Sequence, residues 1–243
     1  MKRLILFDID GTLCNTVAID DLCLQRALTE VFGFPVDSIA PFCGDDGTDT
    51  GVTREAFRLL QRKKASTADI ERVRITFLRH LENAQRTSPD AFLPIPGANE
   101  AFASIVAHHN WKVGLASGAW WQSAELKLRG MGIDPELFPG AFAEDSHSRE
   151  VIISTAIERA SHRFHTISWD KIVYVGDGLW DLRAARRLRI GFVGIGRNER
   201  RNALLKEGAM TVLNDFTNLP VLHSALEAAA VPAWTSSLVP SGI

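Results

Sequence analysis

Four stretches of the chain carry side chains that could do chemistry together: Asp8 with Asp10, Ser117 with Gly118, Arg149, and Asp177 with Asp181. The first pair leaves the apolar run Leu4-Ile5-Leu6-Phe7 one residue apart, just before Gly11. Side chains two apart on an extended chain lie on one side, so these carboxylates repel unless something positive sits between them. An oxygen-seeking divalent ion such as Mg²⁺ would relieve the repulsion. Ser117-Gly118 ends a second apolar run, Arg149 opens a helical pattern, and Gly176-Asp177-Gly178 follows Ile172-Val173-Tyr174-Val175. Together the four supply a nucleophile, a proton-transfer group, hydrogen-bond donors, a cation and metal ligands. Phosphoryl transfer requires that inventory, because it is chiefly positioning and neutralisation of charge.

Such groups need a scaffold that gathers them. Four apolar residues in a row at Leu4–Phe7 read as a strand buried on both faces, as in a parallel sheet. Beyond residue 97, short apolar runs at 112–116, 141–143, 172–175, 190–195 and 210–213 alternate with amphipathic helical patterns. That alternation predicts an α/β fold, a doubly wound, Rossmann-like parallel sheet. Right-handed crossovers then bring the strand ends, and the polar groups on them, to one edge. Between Thr16 and Ser88 the pattern is helical throughout, with helices expected over about 17–32, from near Val52, and over 67–85. The proline-dense stretch from Ser88 to Gly97 reads as a linker. The expected division is an α/β core of residues 1–15 plus 95–231, an inserted all-helical cap of 16–94, and a loosely ordered tail of 232–243.

Composition narrows the partners. The net charge is −2 over 243 residues, so no global field favours nucleic acid or an anionic membrane. Arginines clustered at Arg183, Arg186, Arg187 and Arg189, and at Arg197, Arg200 and Arg201, are spaced as solvated helix faces. No apolar stretch reaches the roughly 20 residues of a membrane span, and Asp8 and Asp10 interrupt the only N-terminal apolar run. Cys14, Cys23 and Cys43 match no common zinc spacing and read as reduced thiols of a cytoplasmic protein. The expected partner is a small phosphorylated molecule, with the chain a monomer or homodimer.

At these motifs the sequence resembles the haloacid dehalogenase-like hydrolase superfamily, in particular its phosphoglycolate-phosphatase-like members with a helical cap. Asp8-Ile9-Asp10-Gly11-Thr12 matches the DxDGT motif and Gly176-Asp177-Gly178-Leu179-Trp180-Asp181 the GDxxxD metal motif. Ser117 fits the Ser/Thr motif. The third motif is usually lysine, and Arg149 stands in its place, with Lys127 and Lys171 as rivals. The resemblance implies that Asp8 is the nucleophile and forms an aspartyl-phosphate, while Asp10 serves as general acid and then base. It implies Mg²⁺ held by Asp8, the Asp10 carbonyl and Asp177, with Asp181 binding metal through water or orienting Asp177 or Arg149. Gly11 and Thr12 would shape a tight turn with amides toward phosphate, Ser117 and the Gly118 amide would hold phosphoryl oxygens, and Arg149 would neutralise transition-state charge.

In related capped enzymes a Gly-x-Thr-Asp stretch faces the catalytic centre. Gly44 to Thr48-Asp49 resembles it, so this loop, with Thr48, is expected to read the leaving group. Its acids Asp45, Asp46 and Asp49 point to a leaving group that is neutral, hydroxylated or cationic. Hinges are expected near Asn15-Thr16 and Pro94–Pro96. His147 reads as exposed, and Trp120, Trp121 and Trp180 as packing residues. The resulting expectation is a Mg²⁺-dependent phosphatase for a small phosphomonoester. A sugar-phosphate mutase of the same superfamily and a non-catalytic phosphoryl-binding protein are the alternatives; a dehalogenase or phosphonate hydrolase lacks an acid equivalent to Asp10.

Overall fold

The computed structural model describes residues 2–234. Its chain opens with β1 (Arg3–Phe7), then runs through α1 (Val17–Phe32), α2 (Asp49–Leu60) and α3 (Thr67–Thr87) without a further strand. From there helices and strands alternate: α4 (Ala98–Val106), β2 (Trp111–Ala116), α5 (Trp121–Gly130), β3 (Gly140–Ala141), α6 (Arg149–Arg163), β4 (Lys171–Gly176) and α7 (Leu179–Arg187). The series closes with β5 (Gly191–Ile195), α8 (Asn198–Glu207), β6 (Val212–Leu213) and α9 (Leu219–Ala228). The strands form one sheet in the order β3-β2-β1-β4-β5-β6, every pairing parallel. This is the α/β fold with an inserted helical cap that the periodicity predicts.

β1 explains the arrangement. It lies in the middle of the sheet, and Leu4, Ile5, Leu6 and Phe7 are wholly buried. Because strand side chains alternate, Ile5 and Phe7 enter one core layer with Phe102, Val113 and Leu226, whereas Leu4 and Leu6 enter the other with Ile152, Tyr174 and Leu182. Both faces are thus covered by helices, as a parallel sheet demands. Phe7 pairs with Leu115 of β2 on one side and Val175 of β4 on the other. One or two residues further along each strand stand Asp8, Ser117 and Asp177. The chain order reverses between β1 and β4, which is where open α/β sheets bind ligands.

The cap has its own core. α1 packs along α3, and Leu24, Leu28, Phe57, Phe77 and Leu81 are buried together. Gly33 ends α1 in the left-handed conformation, at φ 75°. Ser66 and Asp69 close a reciprocal capping box at the start of α3. α2 begins at Asp49, three residues before the start read from apolar spacing. The Thr48 side chain caps it, accepting from the Gly51 amide at 3.1 Å. The two linkers lie side by side: Asn15 N donates to Leu93 O (2.9 Å) and Ile95 N to Leu13 O (2.8 Å). These bonds fall at the two expected hinges.

At the other end, Ala233 N donates to Gly208 O (3.0 Å) and Arg186 lies over the Trp234 ring at 4.9 Å. Residues 235–243 of the expected loose tail lie outside the described residues.

Candidate active site

The Asp8 carboxylate stands at the floor of a cavity of about 420 Å³ between core and cap. Its Oδ1 accepts the Ser117 hydroxyl at 2.9 Å and Arg149 Nη1 at 3.2 Å, and the Thr12 hydroxyl lies 3.3 Å from Oδ2. Burial first, then the charge of Asp181, pushes the Asp8 carboxyl up to about 7 against the opposing pull of Arg149. Asp8, Asp177 and Asp181 each hold a carboxylate oxygen within 4.8 Å of the others, and all three are buried. Burial raises Asp177 and Asp181 too.

Three crowded, buried carboxylates fit a hard divalent cation, which reverses the penalty on their ionised forms. The Asp10 carbonyl beside them accepts no backbone hydrogen bond of the turn among the described residues. The donor set therefore suits Mg²⁺. Asp181 is the most constrained member. Its Oδ2 accepts the Gly178 amide (2.9 Å), and its Oδ1 lies 3.1 Å from the Tyr174 hydroxyl and 3.5 Å from Arg149 Nε. Asp177 forms an ion pair with Arg200 of α8. Arg200 carries an exposed side chain (42%) that an incoming cation can displace.

Gly11 has φ +76°, and a Cβ there would fall 2.1 Å from Asp177 Oδ2, so the turn tolerates no side chain. The amides of Gly11 and Thr12 are not turned to phosphate as the sequence suggests. Gly11 N donates to Cys14 O (2.7 Å) and Thr12 N to Ile9 O (3.2 Å), because the tight loop uses them to close itself. Asp10 and Gly118 line the cavity, and neither backbone amide has a backbone acceptor among the described residues.

Arg149, the cation expected for the third motif, reaches Asp8 Oδ1 at 3.2 Å. The rivals go elsewhere. Lys171 starts β4 at the opposite end of the sheet and bonds Glu227 O. Lys127 reaches Asp10, not Asp8. Arg149 is also gripped by the cap: Nη2 donates to Gly47 O (2.8 Å), Nε to Asp46 O (3.3 Å), and its amide to Asp46 Oδ1 (3.0 Å).

The loop Gly44–Asp49 therefore faces the Asp8 cavity and Arg149, but its acids are not free to read a leaving group. Asp46 takes the Arg149 amide, Asp45 pairs with Arg183, and Asp49 accepts the Trp120 amide at 2.8 Å. The Thr48 hydroxyl donates to His147 O at 2.8 Å while capping α2. These contacts lock cap to core. We predict that Arg149→Ala lowers kcat/KM by roughly two to three orders of magnitude and loosens the cap. Steady-state rates and limited proteolysis between residues 16 and 94 check both effects; a near-normal rate would send the role elsewhere.

Several partners escape a reading of the sequence. Thr16 Oγ1 donates to Asp10 Oδ1 at 2.5 Å, and Lys127 Nζ lies 2.6 Å from the same oxygen. Arg200 and Arg186 belong to clusters that spacing assigns to solvated faces, yet Arg200 reaches Asp177 and Arg186 is buried on Glu207. His147 is exposed as expected. Trp120 is buried against Phe77 of α3, ring centroids 5.6 Å apart, and Trp180 packs under Gly47.

The nucleophile-like acid at the end of β1, the acid pair after β4 and the inserted cap define a class. The chain belongs to the haloacid dehalogenase-like hydrolase family, whose pattern matches residues 2–189. No curated protein matches it. Solved structures with the same fold include a hydrolase from Pseudomonas syringae (TM-score 0.71, 20% identity, covering 95% of this chain and 100% of that one). CbbY from Rhodobacter sphaeroides, in complex with phosphate, superposes with TM-score 0.65 at 20% identity over 90% of this chain and 96% of its own. A predicted phosphoglycolate phosphatase from Haemophilus somnus 129PT gives 0.60 at 16% identity, covering 91% and 98%.

Proposed function

We propose that this hydrolase is a Mg²⁺-dependent phosphatase acting on a small phosphomonoester through an aspartyl-phosphate on Asp8. One observation carries the reading: a buried carboxylate held by a hydroxyl and a guanidinium, beside two further buried acids, with the same guanidinium bonded to Asp46 and Gly47 of the cap.

The Asp8 carboxylate oxygen attacks phosphorus as the bond to the leaving oxygen breaks, and Asp10 delivers a proton to that oxygen. Water then attacks the phosphorus of the acyl phosphate and gives its proton to Asp10. Asp8 is released with its carboxylate restored. Ser117, Arg149 and the Gly118 amide hold phosphoryl oxygens and offset their growing charge. Asp8, Asp177 and the Asp10 carbonyl, with Asp181 directly or through water, would hold Mg²⁺, which would supply screening between anionic nucleophile and anionic substrate. The cap excludes bulk water from the phosphoenzyme.

None of the cap residues lining the cavity carries a positive charge; they include Val17, Leu24, Ile39 and Val52 beside Asp20, Asp21 and Asp49. A second phosphate, which a sugar-phosphate mutase must hold, finds no cation there. Hydrolysis is favoured over mutase chemistry for that reason, and so is a leaving group without a second anion. No described helix is long and apolar enough to cross a membrane, and Cys14, Cys23 and Cys43 are free thiols. We place the enzyme in the cytoplasm on this reading. A screen of phosphorylated metabolites, scored by released phosphate, tests it. Turnover of neutral alkyl phosphates is expected; isomerised sugar phosphate without free phosphate would overturn the hydrolytic assignment.

A further inference from the structure

Lys127 lies on α5 of the core with a side chain that is 0% exposed. Lysines are almost never so buried unless paired. Here the ammonium sits 2.6 Å from Asp10 Oδ1 and forms a second ion pair with Asp20 Oδ1 in the first turn of α1. Burial alone would lower its pKa, but the charges of Asp10, Asp20 and Asp49 outweigh that and hold it above the ordinary range. It is a fixed cation.

We infer that Lys127 is the positioning residue for the proton-transfer group of this site, fixing the Asp10 carboxylate so that one chosen oxygen meets the leaving group. The inference rests on the phosphatase reading given above. Its geometry is specific. Thr16 and Lys127 both bind Oδ1 of Asp10, which leaves Oδ2 with no protein partner among the described residues, on a side chain that lines the cavity. A carboxyl held by one oxygen presents the other in a single orientation, and proton transfer depends steeply on such placement. A lysine serving only as glue between α5 and α1 could draw its counter-charge from acids away from the site. This one shares its charge with the one acid that must reach substrate.

The test uses leaving groups that differ in their need for a proton. An alkyl phosphate expels a strongly basic alkoxide, whereas p-nitrophenyl phosphate expels a phenolate stable without protonation. In Lys127→Met we expect kcat for an alkyl phosphate to fall about a hundredfold with KM within about threefold. The single-turnover rate of nitrophenolate release should stay within about threefold of the natural enzyme, because phosphorylation of Asp8 by this ester does not need Asp10. The double variant Lys127→Met/Asp20→Asn, which leaves no unpaired charge at the Asp20 site, should behave alike.

Equal losses with both esters, or no loss with either, would overturn the inference. So would failure of both variants to fold by circular dichroism, which would assign Lys127 to assembly of the cap. If the natural enzyme releases phosphate from neither ester, the phosphatase reading falls first and takes this with it. If it hydrolyses both and the variants lose equally, only the role of Lys127 falls.

Discussion

Asp8→Asn should end turnover of every phosphomonoester, lowering kcat by roughly four to six orders of magnitude, the range seen when a catalytic side chain that acts as a unit with its neighbours is removed. An amide has no anionic oxygen to form the acyl phosphate, and Asn fills the same volume, so the loss is chemical. The neighbours argue that the fold survives. Asn can accept the Ser117 hydroxyl and Arg149 Nη1 through its carbonyl oxygen, as Asp8 Oδ1 does now. It also removes a buried charge from beside Asp177 and Asp181, so we expect unchanged or higher thermal stability. Stopped-flow turnover of p-nitrophenyl phosphate, with melting temperatures alongside, checks both halves. Activity within tenfold of the natural enzyme would show that another group attacks phosphorus.

Removing the divalent cation should have the second largest effect. Chelation with EDTA is expected to cut the rate by at least about a thousandfold, the several kcal/mol of charge stabilisation a metal supplies, and added Mg²⁺ should restore it. The acids themselves give a readout independent of activity. Burial holds Asp8, Asp177 and Asp181 above the ordinary carboxylate range, so a cation that ionises them together stabilises the folded chain. Mg²⁺ at a hundred times its dissociation constant should add about 2.7 kcal/mol by mass action, a rise of several degrees in melting temperature. Asp177→Asn should abolish that rise. A chain that melts identically with EDTA and with Mg²⁺ would contradict the metal site.

Much of this was legible because it is local. Leu4–Phe7 followed by Asp8 and Asp10 is a continuous pattern, and its strand needs burial on both faces, so the centre of the sheet and the edge bearing the site follow together. Arg149 and Asp177 could be placed because each follows or opens an element of plain periodicity. What escaped depends on long-range pairing. Lys127 reads from the sequence only as a rival to Arg149, since its partners Asp10 and Asp20 lie more than a hundred residues away on β1's exit and α1. Arg200 reads as one of several arginines on a solvated helix until α8 is docked beside β5 and the acid after β4 comes within reach. The acids of the Gly44–Asp49 loop look free until the core presents the Arg149 and Trp120 amides to them. The start of α2 was hidden in the same way, because its cap, Thr48, also answers to His147 on the core.

The paired linkers have a consequence for how the chain finds its fold. Arg3 on β1 must meet Trp111 on β2, more than a hundred residues on, before the sheet exists. Bringing such distant points together costs entropy that grows with the logarithm of the span. A helical insert that folds first, with Asn15 beside Leu93 and Leu13 beside Ile95, shrinks that span to a short detour. At (3/2)RT per logarithmic unit, a roughly fourfold shorter effective loop saves about 1.2 kcal/mol of closure entropy. The helical cap over the Asp8 cavity thus doubles as a clasp, shortening the search by which the two central strands become neighbours.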